Sequence, residues 1–79
     1  MGNKRPRPAR LSEKLLALRR KLNLSQPKLA QQLEVVTYHR VSEYESGRRD
    51  PNLMVLLRYA RLANVSVESL IDDEMELQA

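Results

Sequence analysis

Leu24-Ser25-Gln26-Pro27-Lys28-Leu29-Ala30-Gln31-Gln32-Leu33-Glu34-Val35-Val36-Thr37-Tyr38-His39-Arg40-Val41-Ser42-Glu43-Tyr44-Glu45-Ser46-Gly47 decides the fold of this chain. Ser25 suits a helix cap, because its hydroxyl can accept one of the backbone N–H groups that a helix start leaves unpaired. Pro27 falls in the first turn, where its missing N–H costs nothing. Leu29, Ala30 and Leu33 then recur at helical spacing over about eight residues. A helix that short is unstable alone and must be held by packing. Glu34-Val35-Val36 reads as a turn. Thr37 caps a third helix running to about Ser46, with Val41 and Tyr44 facing inward, and Gly47 ends it.

Helices continue on both sides. Leu11, Leu15, Leu18 and Leu22 form one apolar stripe of a first helix, with Ser12 placed to cap it. Arg19, Arg20 and Lys21 crowd its negative dipole end, and Asn23 suits a left-handed stop. Beyond Gly47, Arg48-Arg49-Asp50-Pro51 is a loop. A fourth helix carries Leu53, Leu56, Leu57, Ala60 and Ala63 on one face and stops at Asn64. Ser66 caps a fifth, with Val67, Leu70 and Ile71 apolar. No stretch alternates as a strand would. The fold expected is all-α, a compact five-helix domain over residues 11–73. A flexible basic arm (residues 1–10) precedes it, and an acidic tail (residues 74–79) follows.

Composition narrows the function. With 79 residues the chain is one small domain with a small aliphatic core, since three Tyr are its only aromatics. The absence of cysteine excludes disulfides, thiol catalysis and cysteine-ligated zinc, and a single His39 excludes a multi-histidine metal site. The longest apolar run, Leu53 to Leu57, is too short for a transmembrane helix or a signal peptide. The expectation is a soluble cytoplasmic domain, with no metal and no cofactor. The formal charge of +4 conceals an asymmetry: residues 1–49 hold 12 basic and 4 acidic residues, and residues 50–79 hold 2 and 6. A basic front points to a polyanion, most often nucleic acid. Two glycines leave no glycine-rich phosphate loop, and His39 has no Ser/Asp constellation near it, so the chain does not read as an enzyme.

Several spacings occur together. Leu18-Arg19 precedes Leu24-Ser25-Gln26, and Leu29-Ala30 follows. Then come Val41-Ser42, Glu45-Ser46-Gly47, Pro51 and Ala60-Arg61-Leu62-Ala63-Asn64-Val65-Ser66-Val67. In this order they resemble the lambda-repressor-like, Cro/repressor-type helix-turn-helix family, the xenobiotic-response-element type, over residues 11–73. Most family members have a turn one residue shorter, with Gly where this chain has Glu34. Pro27 and Lys28 stand where acidic residues are common.

The resemblance implies a bacterial or phage regulator, in practice a repressor, whose third helix enters the major groove of double-stranded DNA. Tyr38, His39 and Arg40 in its first turn, and Glu43 one turn on, are the base-reading candidates. Arg can grip guanine O6 and N7, and a carboxylate can accept from cytosine N4. Gln26, Lys28, Thr37, Ser46, Arg48 and Arg49 are the phosphate candidates, the first of them at a helix start that favours anions. Arg19 and Glu45 match a structural salt bridge of the family. In the arm, Lys4, Arg5 and Arg7, with Arg10, could follow the minor groove or the phosphates. A homodimer on a two-fold site is implied, with Met75 and Leu77 as exposed apolar candidates for the contact. Two other classes remain open: an antitoxin or adaptor that holds a protein partner by the acidic tail, and an RNA-binding accessory protein.

Overall fold

Five α-helices succeed one another in a computed structural model that describes residues 7–77: α1 (Leu11–Lys21), α2 (Gln26–Leu33), α3 (Tyr38–Ser46), α4 (Leu53–Ala63) and α5 (Val67–Ile71). Their ends follow the local chemistry. The hydroxyls of Ser25, Thr37 and Ser66 accept backbone N–H bonds from Lys28, His39 and Ser69, and the Asn52 carboxamide accepts from Val55. Asn23, Glu34, Gly47 and Asn64 all stop helices in the left-handed conformation. Glu34 adopts φ 58°, which glycine would accept without strain, at the turn position where the family resemblance leads one to expect glycine.

α1 starts differently from expectation. Ser12 lies inside the helix, and Arg10 at the cap position makes no side-chain capping bond. The cap comes from far along the chain instead. The Asp73 carboxylate accepts the backbone N–H groups of Ala9 (2.8 Å) and Arg10 (3.0 Å). These two bonds, Ala9 foremost, hold the Asp73 carboxyl below the usual carboxylate range. The Arg10 guanidinium donates to Glu76 at 3.1 and 3.2 Å and lowers that carboxyl as well. Residues 9 and 10 are therefore tied to the tail. Lys4 and Arg5, and the rest of residues 1–6, lie outside the described residues.

The core joins Leu11, Leu15 and Leu18 of α1 to Leu29 and Leu33 of α2, Val41 and Tyr44 of α3, Val55, Leu56 and Tyr59 of α4, and Leu70. The inward face of α4 is rotated from the expected one. Val55, Leu56, Tyr59 and Ala60 are buried, Leu57 and Ala63 are half-buried, and Leu53 is 80% exposed. Nearly every position of α4 is apolar, so spacing alone allowed two faces, and the bulky Tyr59 takes the inside. Its ring meets Tyr44 edge-on at 6.4 Å between centroids. Of the apolar residues of α5, Leu70 is buried, Val67 is half-buried and Ile71 is exposed.

Two basic side chains close helix ends. Lys14 is buried, and its ammonium donates to the carbonyls of Ser69 (2.7 Å), Asp72 (2.8 Å) and Met75 (2.9 Å). A five-residue α5 leaves its last carbonyls unpaired, and an ammonium with three N–H groups serves carbonyls in and just after it. Arg58 likewise donates to the Leu33 carbonyl at the end of α2 (3.1 Å).

One buried polar atom, the Tyr59 hydroxyl, has no hydrogen-bond partner among the described residues. Burial, with the Glu45 charge second, pushes its pKa well above the ordinary phenol value. Tyr59→Phe removes an unsatisfied group and is expected to leave stability unchanged or raise it by up to about 1 kcal/mol. Urea unfolding checks this. A loss of more than about 1 kcal/mol would mean that the hydroxyl makes a stabilising bond.

Candidate nucleic-acid interface

A part-buried network joins α1, α2 and α3 behind the turn. Arg19 faces Glu45 with both oxygens engaged, Nε to Oε2 at 2.6 Å and Nη2 to Oε1 at 3.1 Å. Arg19 Nη1 donates to the Leu24 carbonyl (3.0 Å), and the Gln26 amide donates to Glu45 Oε1 (3.1 Å). The Glu45 side chain is 6% exposed and that of Arg19 18%. This is the salt bridge expected from the resemblance. It also reaches Gln26, so one hydrogen of that amide is already committed at the start of α2.

In front of this network lie the N-termini of α2 and α3. Lys28, Thr37, Tyr38 and His39 are exposed, and Arg40 is half-buried. The rings of Tyr38 and His39 stack at 4.4 Å and 25°. Lys28 sits in the first turn of α2, at the positive end of the helix dipole, so the site is suited to an anion. Thr37 accepts from the His39 N–H with its oxygen, and its hydroxyl hydrogen stays free to donate.

The far end of α3 and the loop after it carry Ser46, Arg48 and Arg49, all exposed. The carbonyl of Glu43 collects the backbone N–H groups of Arg48 (3.0 Å) and Arg49 (3.3 Å) and the hydroxyl of Ser46 (3.2 Å). Its carboxylate accepts from Arg40 Nη1 (3.3 Å) and Arg49 Nε (3.1 Å). Behind this cluster burial pushes the Tyr44 hydroxyl pKa up, and the charges of Arg40 and Arg49 oppose that rise. Arg7, assigned to the arm, pairs with Asp50 at 2.8 and 2.9 Å, and that hydrogen bond holds Asp50 below the usual range.

One surface residue escaped the sequence reading. Val36, in the turn, is 91% exposed. It borders a hollow of about 430 Å³ between α2 and α3, walled by Pro27, Ala30, Gln31, Tyr38 and His39. Its neighbour Val35 packs on the core. Adjacent residues of an extended turn point opposite ways, so the Val-Val pair was the available signal.

The helix-turn-helix family model matches residues 15–70. The chain belongs to the Cro/C1-type helix-turn-helix family. Solved structures similar to it include the P22 c2 repressor, determined in complex with a synthetic operator. That likeness has 25% identity and a TM-score of 0.74, and covers 81% of this chain and 96% of the repressor chain. The N-terminal DNA-binding domain of SinR from Bacillus subtilis is similar in fold, at 22% identity and TM-score 0.73, over 85% of this chain and 97% of that one. A transcriptional regulator from Listeria innocua follows at 26% identity and TM-score 0.73, covering 86% of this chain and 63% of the regulator. No curated protein sequence matches the chain. Family and fold are those of DNA-binding regulators. Among the described residues no helix is long and apolar enough to cross a membrane, and no group of His, Asp and Glu is placed to hold a metal ion.

Proposed function

We propose that this helix-turn-helix domain binds double-stranded DNA in a sequence-dependent way and regulates transcription as a repressor. The observation that carries the reading is the exposed first turn of α3, bearing Tyr38, His39 and Arg40, held beside the anion-favouring start of α2 by the Arg19–Glu45–Gln26 network. A helix presented in this way fits the major groove of B-form DNA, whereas the A-form major groove of duplex RNA is too narrow to read. In this reading Tyr38, His39 and Arg40 meet base edges. Gln26, Lys28, Thr37, Ser46, Arg48 and Arg49 meet the sugar-phosphate backbone, which positions the domain without reading sequence.

Two copies on a two-fold site would double the few base contacts one module makes. The dimer residues expected from the sequence are replaced by others. Leu77 packs against the core and Met75 is half-buried, with its carbonyl on Lys14, whereas Leu53, Met54 and Ile71 are exposed. The self-association surface in this reading therefore belongs to the start of α4 and the end of α5. The antitoxin or adaptor reading has less support, because Glu76 of the acidic tail, and Asp73 just before that tail, are engaged with Ala9 and Arg10 of the same chain.

A salt titration on random duplex DNA, then selection from a random duplex pool, tests the proposal. Steep salt dependence and an enriched two-fold motif are expected. On the selected site, Arg40→Ala should lose about 1–3 kcal/mol of discrimination at one base pair while non-specific binding changes little. Lys28→Ala should weaken both together and flatten the logarithmic salt slope by about 0.9. If Arg40→Ala lowers both affinities equally, Arg40 is a phosphate contact.

A further inference from the structure

Glu43 stands on the outer face of α3 among residues assigned to DNA, and it carries the wrong charge for a phosphate-lined groove. Its surroundings give it another task. Arg40 lies three residues earlier on the same helix face, and its Nη1 is 3.3 Å from Glu43 Oε1. Arg49 comes from the loop, and its Nε is 3.1 Å from the same oxygen. The loop cannot swing away freely, because the Glu43 carbonyl also takes the N–H groups of Arg48 and Arg49. One residue thus ties a base-reading candidate to a phosphate candidate, by its carboxylate and by its main chain.

A guanidinium has five N–H groups in a planar fork. Glu43 takes one from each arginine and biases the orientation of both planes. The remaining donors stay available for a guanine edge or a phosphate that arrives in register. A phosphate arriving out of register must either displace the carboxylate or approach it, and like charges repel in both cases.

Resting on the DNA-binding reading above, we propose that Glu43 is a specificity-determining residue that acts through Arg40 and Arg49. It contacts no base, and it weakens binding to non-cognate DNA more than binding to the cognate site.

The test compares wild type, Glu43→Gln, Arg49→Ala, their double variant, and Glu68→Gln. Glu68 is exposed on α5, an element that packs on α1 and α4, so this variant controls for the loss of one negative charge remote from α3. Binding is measured to random duplex DNA and to the duplex that wild type selects from a random pool, across a salt series. For Glu43→Gln the random-duplex affinity should rise about tenfold and its logarithmic salt slope steepen by about 0.9, the increment for neutralising one more phosphate. Affinity for the selected duplex should change less than threefold, so the specificity ratio falls by about threefold or more, while the motif that the variant itself selects keeps every position. In the Arg49→Ala background the rise should shrink, which a purely structural role would not produce. Loss of one C·G position from the selected motif would overturn the proposal in favour of base reading. A rise no larger than that of Glu68→Gln, or one undiminished without Arg49, would overturn it too. Absence of binding by wild type to any duplex would instead remove the DNA reading on which it rests.

Discussion

Lys14→Met is expected to destabilise the domain by about 3 kcal/mol. Methionine approaches the length of the lysine stem and adapts to the same channel, so the packing loss is small. What disappears is the ammonium that serves the carbonyls of Ser69, Asp72 and Met75. Bonds to a charged donor contribute about 1.5–3 kcal/mol each. The bond to Ser69 is buried and the other two are part-buried, so their sum is discounted accordingly. In a domain of this size 1 kcal/mol moves the melting temperature by about 4–8 °C, so a fall of about 15 °C is expected. Thermal denaturation followed by far-ultraviolet circular dichroism reads it. Amide exchange should show the residues after α5 losing protection first. A fall of less than about 4 °C would mean that burying the ammonium costs as much as its three bonds return.

Glu45→Ala should be the second large loss, again about 3 kcal/mol. Breaking a buried ion pair from one side costs about 3–5 kcal/mol, because the remaining charge is stranded. Arg19 keeps some exposure and its bond to the Leu24 carbonyl, which places the value at the low end. A core in a chain this small rarely supplies more than about 3–5 kcal/mol, so the variant should keep no more than about 2 kcal/mol of stability at 25 °C. Replacing Arg19 and Glu45 together by methionine should recover most of the loss, since no charge is then left buried. Urea titrations of the three proteins decide it. A single-variant loss below about 1 kcal/mol would show the pair to be a surface-like contact.

What was legible in the sequence was local. Ser25, Thr37 and Ser66 cap the helices they were expected to cap, and Asn23, Gly47 and Asn64 stop them, because a cap or a left-handed stop is decided within four residues. Val41 and Tyr44 were found as core because α3 is otherwise polar and offers only one apolar face. α4 offered several, and Leu53 was misplaced. The Arg19–Glu45 bridge was available only through the family resemblance, since nothing local links residues 26 apart. Nothing local singles out Lys14 or Arg58, because the carbonyls that engage them lie 55 and 25 residues away. In the candidate interface the residue types were readable but their engagement was not. The occupation of Glu43 by two arginines depends on how the loop after α3 folds back.

The long-range closure of α1 has a consequence for how the chain is made. The carboxylate that caps this first helix, and the carbonyls that accept from its buried lysine, lie 55 to 64 residues downstream. While the chain is being synthesised, Leu11, Leu15 and Leu18 leave the ribosome long before the groups that secure their helix exist. Contacts this distant in sequence are late and slow to form, because the intervening loop must first be closed. The nascent domain therefore carries a first helix with an uncapped start and an incompletely paired Lys14 until Asp73 and Met75 emerge, and this interval is when it is most exposed to aggregation and proteolysis.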